Sequence, residues 1–193
     1  MSPDDLPVIA FESAEAWEEW LREHHETAPG VWLKLAKAKS GVASVKPREA
    51  VEVALCYGWI DGQSRSVDEI WWNHRYTPRR AKSVWSKLNR EKVAELIAAG
   101  RMQPAGMRQI ELAKADGRWD AAYDPPSAAK VPDDLQRELG SRPVAAAFFA
   151  TLDANNRYAI LHRLQTAMKP ETRARRLEKF VAMLERGEKI HRL

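Results

Sequence analysis

Between Ile70 and Asn89 the sequence reads IWWNHRYTPRRAKSVWSKLN, the densest run of chemically capable side chains in the chain. If residues 70–76 form a strand, Trp72, His74 and Tyr76 share one face and Trp71, Asn73 and Arg75 share the other. Pro78 has no N–H and must break the ladder. Arg79 and Arg80 follow in the loop, and Ser83 and Ser86 fall near the start of an expected helical segment with Trp85. Guanidinium forks, hydroxyls and free helix N-terminal amides together bind anions or phosphate. Aromatics beside arginines can also stack on nucleic-acid bases. The plainer alternative is a strand-to-helix corner in which tryptophans form core and arginines stay wet.

Asp61, in GWIDG (58–62), is a carboxylate in an apolar strand, and a half-buried carboxylate needs a partner. Arg65 and Arg75 are the nearest along the chain, and pinning an arginine is favoured over catalysis. The candidate ligand-binding set is therefore Asp61, Trp72, Arg75, Tyr76, Arg79, Arg80, Ser83 and Ser86. The five histidines are dispersed, and no HExxH or comparable ligand spacing occurs. Cys56 is the only cysteine, which excludes an intramolecular disulfide and a Cys-based zinc site; it reads as a small buried side chain. There is no GxGxxG, P-loop or GxSxG, and no cofactor is implied. Glu15, Glu18 and Glu19 could hold iron or another divalent ion weakly through hard oxygen ligands, although a solvated acidic helix face explains them more simply.

These groups need elements to hold them. Pro7–Phe11 and Val31–Lys37 read as strands. Trp59-Ile60-Asp61 begins another, Gly62-Gln63 reads as a turn, and a further strand runs to about Tyr76. Ser13 is placed to cap a helix with Trp17, Trp20, Leu21 and His24 in phase. Pro47 opens a second helix that Gly58 ends. Asn89 and Pro104 mark two more. All eight tryptophans precede residue 120, and the proline-bearing stretch DAAYDPPSAAKV (120–131) reads as a linker. Beyond it the periodicity predicts helices near 132–139, 143–151, 154–168 and 170–186, without strands. The expected organisation is an α+β domain (1–119) with a small antiparallel sheet, the linker, and an all-helical region (132–193) packed on the first.

The chain has 193 residues and a net charge of +4, unevenly spread. Residues 1–30 hold eight acids and one base, 75–92 seven bases and one acid, and 163–193 nine bases and four acids. The N-terminus lacks a basic, apolar signal pattern, and no apolar run reaches the roughly 20 residues that span a bilayer. A cytoplasmic protein with no transmembrane segment is expected.

Taken together, CYGWIDG (56–62), RYTPRRAKSVWSKLN (75–89), LIAAGRMQPAG (96–106) and AKADGRW (113–119) resemble the N-terminal region of YdeI-like proteins. LQTAMKPETRARRLEKFVAML (164–184) is similar to the C-terminal region of the OmpD-associated, bacteriocin-protection (OmdA-like) family. The resemblance implies a YjbR/frataxin-like α+β domain followed by a helical tail. It also implies protection against bacteriocins or antimicrobial peptides and, through the family name, an outer-membrane porin partner. It brings no catalytic residues. The leading reading is a non-enzymatic binding protein with an anion or phosphate site at the 75–86 corner. The alternatives are nucleic-acid binding, weak metal handling, and an enzyme using Asp61 with the arginine cluster.

Overall fold

The computed structural model describes residues 3–191. The first two and last two residues of the expected regions lie outside that range. The chain divides into two compact units: Met1–Ser83 with Asn89–Trp119, and Val84–Leu88 with Asp120–Leu193.

The first unit carries a four-stranded sheet ordered β1-β2-β4-β3, made of β1 (Val8–Ala10), β2 (Val31–Ala36), β3 (Trp59–Ser66) and β4 (Trp71–Pro78). β2, β4 and β3 pair antiparallel, and β1 adds in parallel at the edge, so the sheet is mixed. The class is α+β, as the sequence leads one to expect.

Helix α1 (Ala14–His24) starts where the Ser13 hydroxyl accepts from Ala16 N. It buries Trp17 and Leu21 completely. The Trp17 ring lies 5.7 Å from that of Tyr76 and its Nε1 donates to Ala50 O, so α1 lies over the sheet face bearing Tyr76. Val31, Leu33 and Leu35 alternate into the same core, which follows from the two-residue period of a strand. Helix α2 (Pro47–Cys56) takes proline in its first turn, where a missing N–H costs nothing. Its end meets the start of α4 (Pro104–Ala115), where a Cβ added at Gly106 would stand inside contact distance of Cys56 O and 2.8 Å from Leu55 O. Only glycine lets these two backbones approach so closely.

One expectation fails in an informative way. Gly62-Gln63 is not a turn: β3 runs through it with a bulge. Asp61 pairs with Tyr76 and Ser64 with His74, leaving residues 62 and 63 opposite Arg75 alone. An isolated glycine in a strand marks a bulge as readily as a turn. The reversal comes later, where Asp68 Oδ1 accepts from Ile70 N and Trp71 N.

The second unit is helical. Its helices are α5 (Asp133–Ser141), α6 (Pro143–Ala150), α7 (Ala154–Gln165) and α8 (Pro170–Glu185). Their core includes Leu135, Phe149, Ile160, Leu164, Phe180 and Leu184. The stretch read as a linker belongs to this unit. The Asp124 carboxylate accepts from Lys87 and Gln165, its N–H donates to Gln165 Oε1, and its carbonyl accepts from the Tyr158 hydroxyl. Tyr123 N donates to Trp85 O and Lys87 N to Tyr123 O, tying 84–88 to it. Helix α3 (Lys87–Ala98) therefore begins in the second unit and continues in the first.

Candidate functional site

The alternation of β4 sorts the expected site residues onto two faces. On the helix-covered face the rings of Trp72, His74 and Tyr76 form a ladder, with centroids 5.3 and 4.9 Å apart. Asp61 meets this ladder from β3: its Oδ2 lies 3.7 Å from His74 Nε2. The Tyr76 hydroxyl lies 3.3 Å from His74 Nδ1. Burial lowers the His74 pKa, against the Asp61 charge that raises it. Burial, then Asp61, raises that of the Tyr76 phenol. A neutral imidazole accepting from the phenol at Nδ1 satisfies both shifts. Asp61 thus faces a histidine, not the arginine expected from the sequence. Tyr76 is wholly buried, so its hydroxyl is no nucleophile for an outside substrate.

Arg79, Arg80, Ser83 and Ser86 are held locally. Arg79 N donates to Gly58 O, and the side chain is buried, whereas the sequence led us to expect an exposed guanidinium. Arg80 is exposed, and its N–H donates to the Ser83 hydroxyl while Ser83 N donates back to Arg80 O. Arg118 Nη1 donates to Ser83 O, and Arg118 Nε pairs with the Asp116 carboxylate. Ser86 is buried in the second unit and bridges to Tyr123. Helix α3 starts at Lys87, rather than near Ser83 as expected.

The opposite face of the sheet holds what the sequence reading did not assemble. The ladder register puts Lys34, Asn73 and Arg65 on one rung across β2, β4 and β3, and sets Trp32 beside Arg75 on the next. The Arg65 guanidinium lies 3.9 Å from the Trp32 ring centroid and that of Arg75 6.0 Å away. Lys34 Nζ stands 4.8 Å over the Trp71 ring. Cations at these distances are attracted by the ring quadrupole. Arg65 is also tied to Asp4 at 2.9 Å, an exposed pair. Asn73 is 7% exposed, yet among the described residues its Oδ1 has no hydrogen-bond partner, and neither has Arg75 Nε. The signal for this grouping was the alternation itself, which put Trp71, Asn73 and Arg75 together. What the sequence could not give was the pairing that brings Lys34 and Arg65 beside them.

Among the described residues no group of three or more His, Cys, Asp or Glu is arranged to hold a metal ion. Glu15, Glu18 and Glu19 form no such group. Among the described residues no helix is long and apolar enough to cross a membrane.

Residues 9–109, just over half of the chain, match the model of a domain of unknown function, DUF8412. The chain belongs to the DUF8412 family. The DUF8412 region contains most of β1, all of the other three strands, and both faces described above. It is this model that matches, so the YjbR/frataxin-like expectation for the first region gains no support. Residues 128–187, which span α5 to α8, match the model described as Bacteriocin-protection, YdeI or OmpD-Associated (OmdA). The C-terminal resemblance is thereby supported. No curated protein and no solved structure matches the DUF8412 chain.

Proposed function

We propose that this is a non-enzymatic binding protein of a bacteriocin- or antimicrobial-peptide-protection family, and that it takes an anionic ligand on the sheet face bearing Lys34, Arg65 and Arg75. The observation that carries the reading is Arg75. Among the described residues no carboxylate lies within ion-pair distance of it, and the charged residues that share its face on the neighbouring strands, Lys34 and Arg65, carry the like charge. Crowded cations raise one another's energy, and a bound anion relieves that repulsion. Arginines present planar forks suited to oxyanions.

Calorimetric titration with inorganic phosphate at low salt tests the reading. Wild type is expected to bind, more weakly as salt rises. Arg65→Ala with Arg75→Gln is expected to abolish the heat while Arg80→Ala, at the 75–86 corner, retains it. Loss of binding in Arg80→Ala with retention in the double variant would return the site to the corner. Absence of binding in wild type would refute the reading.

A further inference from the structure

The same sheet face makes three demands on a ligand, and phosphate alone meets only one. Lys34, Arg65 and Arg75 ask for negative charge. Asn73 Oδ1 is an acceptor on a side chain more than nine-tenths buried, with no donor among the described residues to meet it. A buried acceptor left unmade is costly, so a ligand that brings an N–H or O–H gains there. Trp71 is half-buried, with the Lys34 cation rather than another ring lying over it, so that a lysine drawn to a phosphate would bare a flat apolar surface. From the geometry we infer that this face binds a nucleotide unit: phosphate on the arginines and lysine, a sugar hydroxyl or base amino group on Asn73, and the base stacked on tryptophan. This rests on the anion reading above and specifies its ligand.

The spacing suits more than one unit. Trp71, the Lys34–Asn73–Arg65 rung and the Trp32–Arg75 rung succeed one another at two-residue steps, roughly 7 Å each. That step is comparable to the one between successive phosphates of an extended strand. Trp32 is now covered by Arg65, whose tether is the exposed ion pair to Asp4. Exposed pairs contribute little, so a phosphate can draw Arg65 off the ring and open a second stacking surface. Free nucleotide and single-stranded nucleic acid share this chemistry, and the experiment separates them.

Three probes are titrated into the full chain while tryptophan fluorescence is followed: inorganic phosphate, adenosine monophosphate and a twelve-residue single-stranded oligoadenylate. The monophosphate is expected to bind at least tenfold more tightly than phosphate, with a change in tryptophan emission. Further tightening with the oligonucleotide, with a steeper salt dependence, assigns the face to single strands; equal affinity assigns it to free nucleotide. Trp71→Ala is expected to weaken nucleotide binding about tenfold and leave phosphate binding unchanged. Asn73→Ala is expected to remove the preference for nucleotide over phosphate. A thermal melt of each variant identifies any that loses its fold. If phosphate binds as tightly as both nucleotides and Trp71→Ala changes nothing, the inference fails and the anion reading stands. If no probe binds, both fail.

Discussion

Replacing Gly106 by alanine tests how closely α2 and α4 are packed. The new Cβ would meet two backbone carbonyls and the Met102 Cε, at 2.8 Å from Leu55 O and 2.7 Å from Cε, and closest to Cys56 O. Ordinary van der Waals separation is about 3.5 Å. Met102 can swing aside, but the carbonyls cannot. They belong to the last turn of α2, and Cys56 O also accepts from Gln103 N at 3.1 Å. The helices must part by about 0.7 Å or more to clear Leu55 O. Overpacking of this kind costs about 1–3 kcal/mol, and a rigid backbone obstacle puts it near the top of that range. Alanine in place of helical glycine returns about 1 kcal/mol. The net is a destabilisation of about 2 kcal/mol, or a fall in melting temperature of roughly 4–8 °C for a chain of this size. Gly140 in α5 is the control, because nothing lies within 4 Å of its added Cβ and its φ is not positive. Gly140→Ala is expected to leave stability unchanged or raise it by up to about 1 kcal/mol. Urea denaturation followed by tryptophan fluorescence and far-UV circular dichroism measures both. A Gly106→Ala protein as stable as wild type would refute the packing argument.

Acid should weaken the fold through His74 and His162. Burial lowers both pKa values, with Arg163 and Arg176 adding to the effect at His162. Each group's folded pKa lies below its unfolded value of 6.5, so the unfolded chain takes the proton more readily. The stability they contribute is then complete above pH 6.5 and lost as pH falls through the folded values. Urea midpoints between pH 8 and 5 should fall, and fall less in His74→Gln with His162→Gln; equal slopes would refute this. Cys56 is buried, with its thiol pushed up to about 11 mainly by burial. A thiol reagent at pH 8 should therefore leave the native protein unlabelled and label it in denaturant, and rapid native labelling would overturn the assignment. Arg79→Ala is expected to lower the melting temperature clearly while Arg80→Ala barely moves it, because the first side chain is buried and the second exposed. Equal shifts would refute that contrast.

The helices were legible because their signals are local. The Ser13 cap, the prolines at 47, 104, 143 and 170, and the apolar phase of α8 each act within one or two turns of chain. The strand faces were legible too, since alternation needs no partner. Strand pairing was not: Gly62 reads as a turn or a bulge until Tyr76 and His74 stand opposite its flanks. The same limit governed the candidate site. Asp61 was matched to arginines close in sequence, whereas the cross-strand register gives it His74. Arg79 and Arg80 look alike in sequence. The backbone bond from Arg79 to Gly58, twenty-one positions earlier, accompanies the burial of one and not the other.

The membership of Val84–Leu88 in the second unit bears on how the protein is made. A chain growing from the ribosome completes domains from its N-terminus as they emerge. Here Trp85, only 1% exposed in the finished molecule, emerges before Tyr123, whose backbone N–H meets its carbonyl. For the time needed to synthesise nearly forty further residues, about two to eight seconds at usual rates, a large aromatic side chain awaits that segment. A fragment ending at residue 119 would keep it so permanently. Gene fragments meant to yield the sheet-bearing half alone should therefore aggregate unless Trp85 is replaced by a polar residue, and a division of the gene at the end of the tryptophan-rich region does not divide the protein.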